Sequence, residues 1–228
     1  MGKVRKKRKH YLCISNSEKD RLSFKKKSLY ASEQNREDVA ILRASWHEQT
    51  PLCNVKSLVF IDESGVQNNM TRLYGRIVGG DRLHESAPGG HWSTTSIISS
   101  IRINGQTECM TIEGATDADV FRTYIDHILC PTLCPNDVVI MDNLSSHKVP
   151  GIKESIEATG AILLYLPPYS PDFNPIEKMW SKVKAHIRKI KPRTSAETES
   201  AVASALTNVS PADAEGWFAS CGYVLIHS

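Results

Sequence analysis

A chain of 228 residues, 40% of them hydrophobic, is long enough to bury a full core, so a small disulfide-stapled scaffold is excluded. No run approaches the roughly 18 continuous apolar residues of a membrane span, and no apolar signal-peptide core follows the basic start. The net charge of +3 is uneven, because residues 1–28 carry +9 and the remainder −6. A basic N-terminal arm of this kind indicates a polyanionic partner, most commonly nucleic acid, although a solvated tail has the same composition.

Hydrophobic periodicity and turn residues predict strands and helices along the rest of the chain. In chain order they are a helix from Ser32 to before Pro51, a strand at 57–62, a hairpin of strands 94–103 and 107–112, a helix after the capping box Thr116–Asp119, strands 137–142 and 161–166 joined by a helix, a helix at 174–190, and helices after Ser195 and Pro211. Three hairpin-connected strands followed by alternating helices and strands predict an α/β fold with a sheet of mixed direction.

Two of the apolar strands end in aspartate, at Asp62 and Asp142. Open α/β sheets bind ligands at the carboxyl ends of their strands, and neighbouring strands lie about 4.8 Å apart. Two carboxylates at that separation repel each other unless a cation lies between them, and a hard divalent ion prefers oxygen ligands. The pair predicts a metal site, although each aspartate could instead begin a turn.

Glu177 is the third candidate, and its sequence context admits two interpretations. Asn174-Pro-Ile-Glu177 is a helix-capping pattern, in which the glutamate at the third helical position folds back on the cap. The helical phase also places Glu177 on one flank with Lys184 and Arg188, which would suit a metal beside a phosphate. Residues 178–193 hold seven Lys or Arg and no acid, as expected of a DNA-backbone surface or of a solvated helix face.

Four segments together resemble the DDE transposases of the bacterial insertion sequence 630 family, which belong to the mariner superfamily. The segments are Phe60-Ile-Asp-Glu-Ser-Gly65, Gly90-His-Trp-Ser-Thr-Thr95, Met141-Asp-Asn-Leu-Ser-Ser-His-Lys148 and Leu166-Pro-Pro-Tyr-Ser-Pro-Asp-Phe-Asn-Pro-Ile-Glu177. The likeness runs from about Lys25 to Tyr223, and the 34 residues between Asp142 and Glu177 are a spacing typical of that family.

The resemblance implies an RNase H-like fold, a five-stranded mixed sheet flanked by helices. It divides the chain into a basic arm (1–28), a helical linker (29–55), a DDE catalytic domain (56–194) and C-terminal helices packed on that domain (195–228). The family usually carries paired helix-turn-helix domains ahead of its catalytic part, and the residues before Asp62 resemble none. A truncated gene or a separately encoded helix-turn-helix partner is therefore expected.

The implied function is metal-dependent cleavage of DNA at the ends of a mobile element, followed by transfer of the freed 3′-hydroxyl into target DNA. Asp62, Asp142 and Glu177 would hold two Mg²⁺ or Mn²⁺ ions that activate the nucleophile and stabilise the leaving oxygen. The implied partner is double-stranded DNA, on which the chain would assemble as a homodimer. The implied location is the bacterial cytoplasm, with no membrane partner.

Further residues are candidates for the surroundings of this site. Asn143 and His147 belong to the family motif and would lie near the metal or the DNA, with a hydrogen bond at a helix start as the alternative. The candidates for phosphate contacts are Lys148, Lys182, Lys184 and Arg188. Two other functions remain open, an inactive or domesticated DNA-binding remnant of a transposase and an RNase H-like nuclease acting on RNA–DNA hybrids.

Overall fold

The structure is a computed structural model that describes residues 31–49, 54–77, 79, 82–90 and 92–225. The predicted basic arm and Pro51 lie outside these residues. The strands are β1 (Leu58–Gln67), β2 (Thr94–Arg102), β3 (Cys109–Glu113), β4 (Val138–Met141) and β5 (Ile162–Tyr165). The α-helices are α1 (Glu37–Gln49), α2 (Ala118–Tyr124), α3 (Ile152–Ala158), α4 (Ile176–Ile190), α5 (Ser195–Thr207) and α6 (Pro211–Ser220). Short 3₁₀ turns and one π-helical turn, Ile125–Leu129, complete these elements.

The five strands form one sheet of mixed direction in the order β3-β2-β1-β4-β5. β1, β2 and β3 are antiparallel neighbours, whereas β4 and β5 run parallel to β1 on its other side. The predicted turn at Asn104-Gly105 lies between β2 and β3, where Gly105 adopts a φ of +84°. A side chain is strained at such an angle, which is why glycine suits this turn. The predicted mixed α/β sheet is confirmed.

β1 is longer than predicted, since it continues past Asp62 to Gln67. Its parallel pairing with β4 covers only Leu58 to Phe60, but its antiparallel pairing with β2 continues to the Gln67–Thr94 pair. β2 supplies hydrogen-bond partners to the backbone groups of residues 63–67, the polar, glycine-containing second half of β1 that lies beyond the predicted strand. Asp62 therefore lies within a strand, just beyond the point where the parallel pairing ends.

The predicted cap of α2 is displaced by one residue. Asp117, not Thr116, is the N-cap, and its side chain accepts a hydrogen bond from Val120 N at 2.9 Å. Both residues have the right spacing, and a charged carboxylate is the stronger acceptor for the positive end of a helix. The Thr116 hydroxyl is left buried without a hydrogen-bond partner in the described part of the chain.

Helices cover both faces of the sheet, and alternation along β1 decides which face each side chain meets. Phe60 packs in the cluster that contains residues of α4, α5 and α6, whereas Val59 and Ile61 pack in the cluster with residues of α2 and α3. Successive side chains of a strand point to opposite faces. Asp62 therefore faces α4, and Glu63 faces the α2 and α3 layer. Among the described residues, no helix is both long and apolar enough to cross a membrane.

Candidate active site

Asp62 is held on both of its carboxylate oxygens. Oδ1 accepts a hydrogen bond from Glu63 N at 2.8 Å, and Oδ2 accepts one from Trp180 Nε1 at 3.2 Å. Burial and the charge of Glu177 raise the pKa of Asp62 to about 7, with a smaller contribution from Asp142, and the two hydrogen bonds only partly oppose this. The carboxyl of Asp62 is thus poised between its neutral and charged forms near neutral pH.

Asp142 directly follows β4 and uses one oxygen for its contacts. Its Oδ1 accepts a hydrogen bond from Leu144 N at 3.2 Å and lies 2.5 Å from Nδ1 of His147. Oδ2 has no hydrogen-bond or ion-pair partner within the described ranges. One oxygen of Asp142 is therefore anchored, while the other is available to a ligand.

Glu177 lies in the first turn of α4 but does not take part in the predicted cap. The helix begins at Ile176 with Pro175 as its N-cap residue, and Asn174 Oδ1 is buried without a hydrogen-bond partner among the residues described. The capping interpretation of Asn174 is therefore wrong, because Pro175 takes the cap position. The pKa of Glu177 is raised by desolvation, lowered by the nearby charge of Lys184 and raised by that of Asp142. Lys184 thus flanks Glu177, as the helical phase predicts.

The three carboxylates lie within electrostatic reach of one another. The charges of Glu177 and Asp142 both raise the pKa of Asp62, and that of Asp142 also raises the pKa of Glu177. Among the described residues, no group of three or more His, Cys, Asp or Glu side chains is arranged to hold a metal ion. The carboxylates are neighbours that repel one another, and they are not drawn together at coordination distance.

His147 joins the site to the opposite face of the sheet. It is 1% exposed, and its ring stacks on Phe121 with centroids 4.4 Å apart. Nε2 lies 3.2 Å from Glu63 Oε1, and Nδ1 contacts Asp142 as an ion pair outside hydrogen-bond geometry. Burial lowers the pKa of His147, but the contacts with Asp142 and Glu63 outweigh it and raise the pKa to about 9. The imidazolium thus bridges two carboxylates.

Comparison with known proteins identifies the family. Residues 57–199, more than half of the chain, match the family described as DDE superfamily endonuclease. The chain belongs to this DDE superfamily of endonucleases. A comparison with curated proteins found no match.

Solved structures similar to this DDE endonuclease include three complexes of Mos1 transposase. The pre-cleavage Mos1 transpososome is 13% identical with a TM-score of 0.62, covering 91% of this chain and 69% of that chain. The Mos1 strand transfer complex is 15% identical with a TM-score of 0.60, covering 91% and 68%. The mariner Mos1 paired end complex with Mg is 13% identical with a TM-score of 0.60, covering 92% and 70%. The shared fold confirms the predicted RNase H-like fold, and the family model confirms the predicted family at the level of the DDE superfamily of endonucleases.

The structure places the other candidate residues of this DDE endonuclease in different settings. Lys182 is engaged by Asp213 Oδ2 at 2.6 Å and by the carbonyl of Asn208 at 2.7 Å, so its charge is already paired. Lys148 is exposed, with Nζ 5.6 Å from the centroid of the Tyr165 ring. Arg188 is partly buried on α4, and Asn143 is exposed beside Asp142. Ser145–Lys148 is a 3₁₀ turn, so His147 does not cap a following α-helix.

Two functional candidates were missed by sequence reasoning, Trp180 and Glu63. Trp180 is buried on α4 as the apolar periodicity of that helix predicts, and its Nε1 also donates to Asp62. It follows Glu177 by three residues, a spacing that places both on one side of a helix. Glu63 follows Asp62 in β1, and successive side chains of a strand point to opposite faces of the sheet. This alternation places Glu63 on the face opposite Asp62, where it contacts His147 in the turn after β4.

Proposed function

We propose that this chain is the catalytic domain of a transposase, which cleaves DNA strands at element ends and transfers the freed 3′-hydroxyl into target DNA. Its catalytic residues are Asp62, Asp142 and Glu177. The observation that carries the proposal is the grouping of these three carboxylates, in which burial and the neighbouring charges raise the pKa of Asp62 to about 7, in a member of the DDE superfamily of endonucleases. Grouped carboxylates with pKa values perturbed by burial and by neighbouring charges are typical of catalytic sites.

The donor set fits a divalent cation. Mg²⁺ and Mn²⁺ prefer oxygen ligands, and a cation between these carboxylates would offset the repulsion that, together with burial, raises their pKa values. Asp142 Oδ2 and the carboxylate of Glu177 have no hydrogen-bond partner in the described part of the chain, which leaves them available as ligands with Asp62. A pair of bound ions would supply activation of the attacking oxygen and stabilisation of the leaving oxygen.

The chain itself orients these ligands. Trp180 and the backbone N–H of Glu63 fix the plane of the Asp62 carboxylate, and His147 with Leu144 N fixes that of Asp142. Such supporting contacts reduce the freedom that ligand carboxylates lose when a cation binds. Glu177 has no such anchor among the described residues, so its carboxylate is the most adjustable of the three.

Complexes of Mos1 support both chemical steps and the DNA partner. Mos1 has been solved in a pre-cleavage transpososome, in a strand transfer complex and in a paired end complex with Mg. By analogy, this chain would act on double-stranded DNA as two copies that bring two element ends together. The chain would use the same carboxylates for cleavage and for transfer.

The test is nicking of supercoiled plasmid DNA in Mg²⁺ by the wild type and by Asp62→Asn, Asp142→Asn and Glu177→Gln. Each substitution keeps the side-chain shape and removes a charge, so each should abolish nicking while thermal unfolding still reports a folded chain. Asp119→Asn is the matched control, because Asp119 also lies in the first turn of a helix but outside the site. Wild-type cleavage rates in any one of the three variants would refute the assignment of that residue.

A further inference from the structure

A surface depression of about 330 Å³ adjoins the site at Asp142. Its lining is polar at Asp142 and Asn143, and the remaining lining residues, called here the apolar wall, are Leu144, Pro167, Pro168 and Tyr169. Leu144 is 55% exposed and Tyr169 is 45% exposed, so these large side chains face solvent. The volume lies at the small end of the range for ligand pockets, which suits one flat group better than a large ligand.

The backbone of Tyr169 is held in an unfavourable conformation. Its φ is +57°, a left-handed angle that residues other than glycine rarely adopt. The Tyr169 carbonyl accepts hydrogen bonds from Gln34 Nε2 at 2.6 Å and from Arg43 Nη1 at 3.4 Å, and Arg43 also donates to Ser170 Oγ at 2.7 Å. Strain that neighbouring contacts enforce often marks a functional position. Here those contacts hold an aromatic ring at the surface beside Asp142.

We propose that Tyr169, with Leu144 and Pro168, forms a stacking subsite for one nucleobase of the bound DNA strand. The inference rests on the proposed function, since it takes the phosphate of that nucleotide to lie at Asp142. A base inside a duplex offers only its edges, so the occupant is a base that has left the stack or lies at a strand end. Its face would lie on the apolar wall, and the Asn143 amide is placed to hydrogen-bond its edge.

The acidic residues beside the depression favour a nucleotide over a protein surface as its occupant. The depression ends at the carboxylate of Asp142, whose neighbours Asp62 and Glu177 are also acidic. An apolar protein surface docked here would bury Oδ2 of Asp142 without supplying a partner for it, since His147 contacts Oδ1, and burying an unpaired carboxylate oxygen is costly. A nucleotide whose phosphate is bound through cations brings the compensating charge with it.

The test compares binding of two single-stranded probes of about 12 nucleotides, oligothymidylate and an abasic strand of equal length, by fluorescence anisotropy in Ca²⁺. Backbone contacts are common to both probes, so the difference in affinity reports contacts with bases. Tyr169→Leu should weaken binding of oligothymidylate by about tenfold and leave binding of the abasic strand unchanged. Tyr169→Phe should bind both probes as the wild type does, because it keeps the ring.

Tyr74→Leu is the matched control, since Tyr74 is 91% exposed and lines a different depression with Lys189 and Lys191. It should leave both affinities unchanged. Equal affinity of Tyr169→Leu and wild type for oligothymidylate would overturn the subsite. So would a change in oligomeric state with Tyr169→Leu at unaltered affinity, which would mark the wall as an interface between copies. If the wild-type protein does not nick plasmid DNA but still binds oligothymidylate more tightly than the abasic strand, the proposed function is refuted and the subsite is retained.

Discussion

At the scale of single residues, Asp62 and His147 combine burial with charge in opposite ways. Asp62 is desolvated among acidic neighbours, which raises its pKa to about 7 from 3.8, so its charged form is disfavoured in the folded chain. His147 is also desolvated, but two carboxylates raise its pKa to about 9 from 6.5, so its charged form is favoured. Both residues therefore bind protons more tightly in the folded chain than in the unfolded chain.

This linkage predicts a stability that falls as the pH rises. The contribution of Asp62 is complete below its unfolded pKa and is lost as the pH rises through about 7, and that of His147 is lost from about 6.5 to about 9. Asp62→Asn carries no charge to desolvate, so at about pH 8 the variant should exceed the metal-free wild type in unfolding free energy by on the order of 4 kcal/mol. Its advantage should shrink toward about pH 5, where the wild-type carboxyl is protonated.

Denaturant unfolding of both proteins in EDTA across this pH range measures the difference. A stability difference that does not vary with pH would contradict the raised pKa of Asp62. Added Mg²⁺ should stabilise the wild type more at about pH 8 than at about pH 6, because a bound cation competes with the proton for the carboxylate.

At the scale of elements, helix α1 is attached to the rest of the fold by both polar and apolar contacts. Arg43 makes a bidentate contact with Asp172 and lies with its guanidinium 4.2 Å from the centroid of the Phe173 ring. Trp46 Nε1 donates to the hydroxyl of Tyr223. Val39 is buried and Trp46 packs against the hydrophobic core, whereas Ile41 and Leu42 are exposed, so only part of the apolar surface of α1 is buried. These contacts fix the segment that leads into α4 and Glu177.

Arg43→Lys should loosen α1 without unfolding the sheet, because lysine keeps the charge but loses the bidentate geometry and the stacking on Phe173. We expect a loss of about 1–2 kcal/mol, read as faster amide hydrogen exchange in residues 37–49 with unchanged protection of β1 and β4. Arg36→Lys is the control, since the Arg36–Asp38 pair is exposed and local. It should change neither the exchange of residues 37–49 nor the protection of β1 and β4. Unchanged exchange in α1 of Arg43→Lys would refute the docking role.

At the scale of the whole molecule, the excess positive charge of the chain lies in its N-terminal arm. Residues 1–28 carry +9 and the remainder −6, whereas residues 56–194 hold 15 Lys or Arg against 15 Asp or Glu and are neutral overall. Lys182, on α4, is already paired with Asp213. We therefore expect the arm to supply most of the long-range attraction for DNA, and the acidic residues of the proposed site to need cations before a phosphate approaches them.

Replacing the six Lys and Arg of residues 3–9 by Gln should weaken DNA binding and reduce its dependence on salt. Each phosphate contact contributes about 0.9 to the slope of log affinity against log salt, so the loss of several contacts should lower the slope by several units. Anisotropy titrations of a duplex over a series of NaCl concentrations measure the slope. A slope equal to that of the wild type would mean that the arm does not contact the DNA backbone.

Local patterns by themselves determined much of this protein. The alternation and turn at Asn104-Gly105 predicted the hairpin, the apolar runs predicted β4 and β5, and the periodicity after Glu177 predicted α4, because each depends on residues close in sequence. The spaced motifs around Asp62, Asp142 and Glu177 likewise predicted the family.

Only the tertiary structure decided the features that depend on partners distant in sequence. β1 passes Asp62 because β2 supplies its hydrogen bonds, and Trp180 reaches Asp62 because α4 packs on the face that Phe60 defines. His147 links Glu63 to Asp142 only where the turn after β4 meets α2. The raised pKa of Asp62 belongs to the same class, because desolvation and the repulsion of neighbouring charges exist only once the chain has folded.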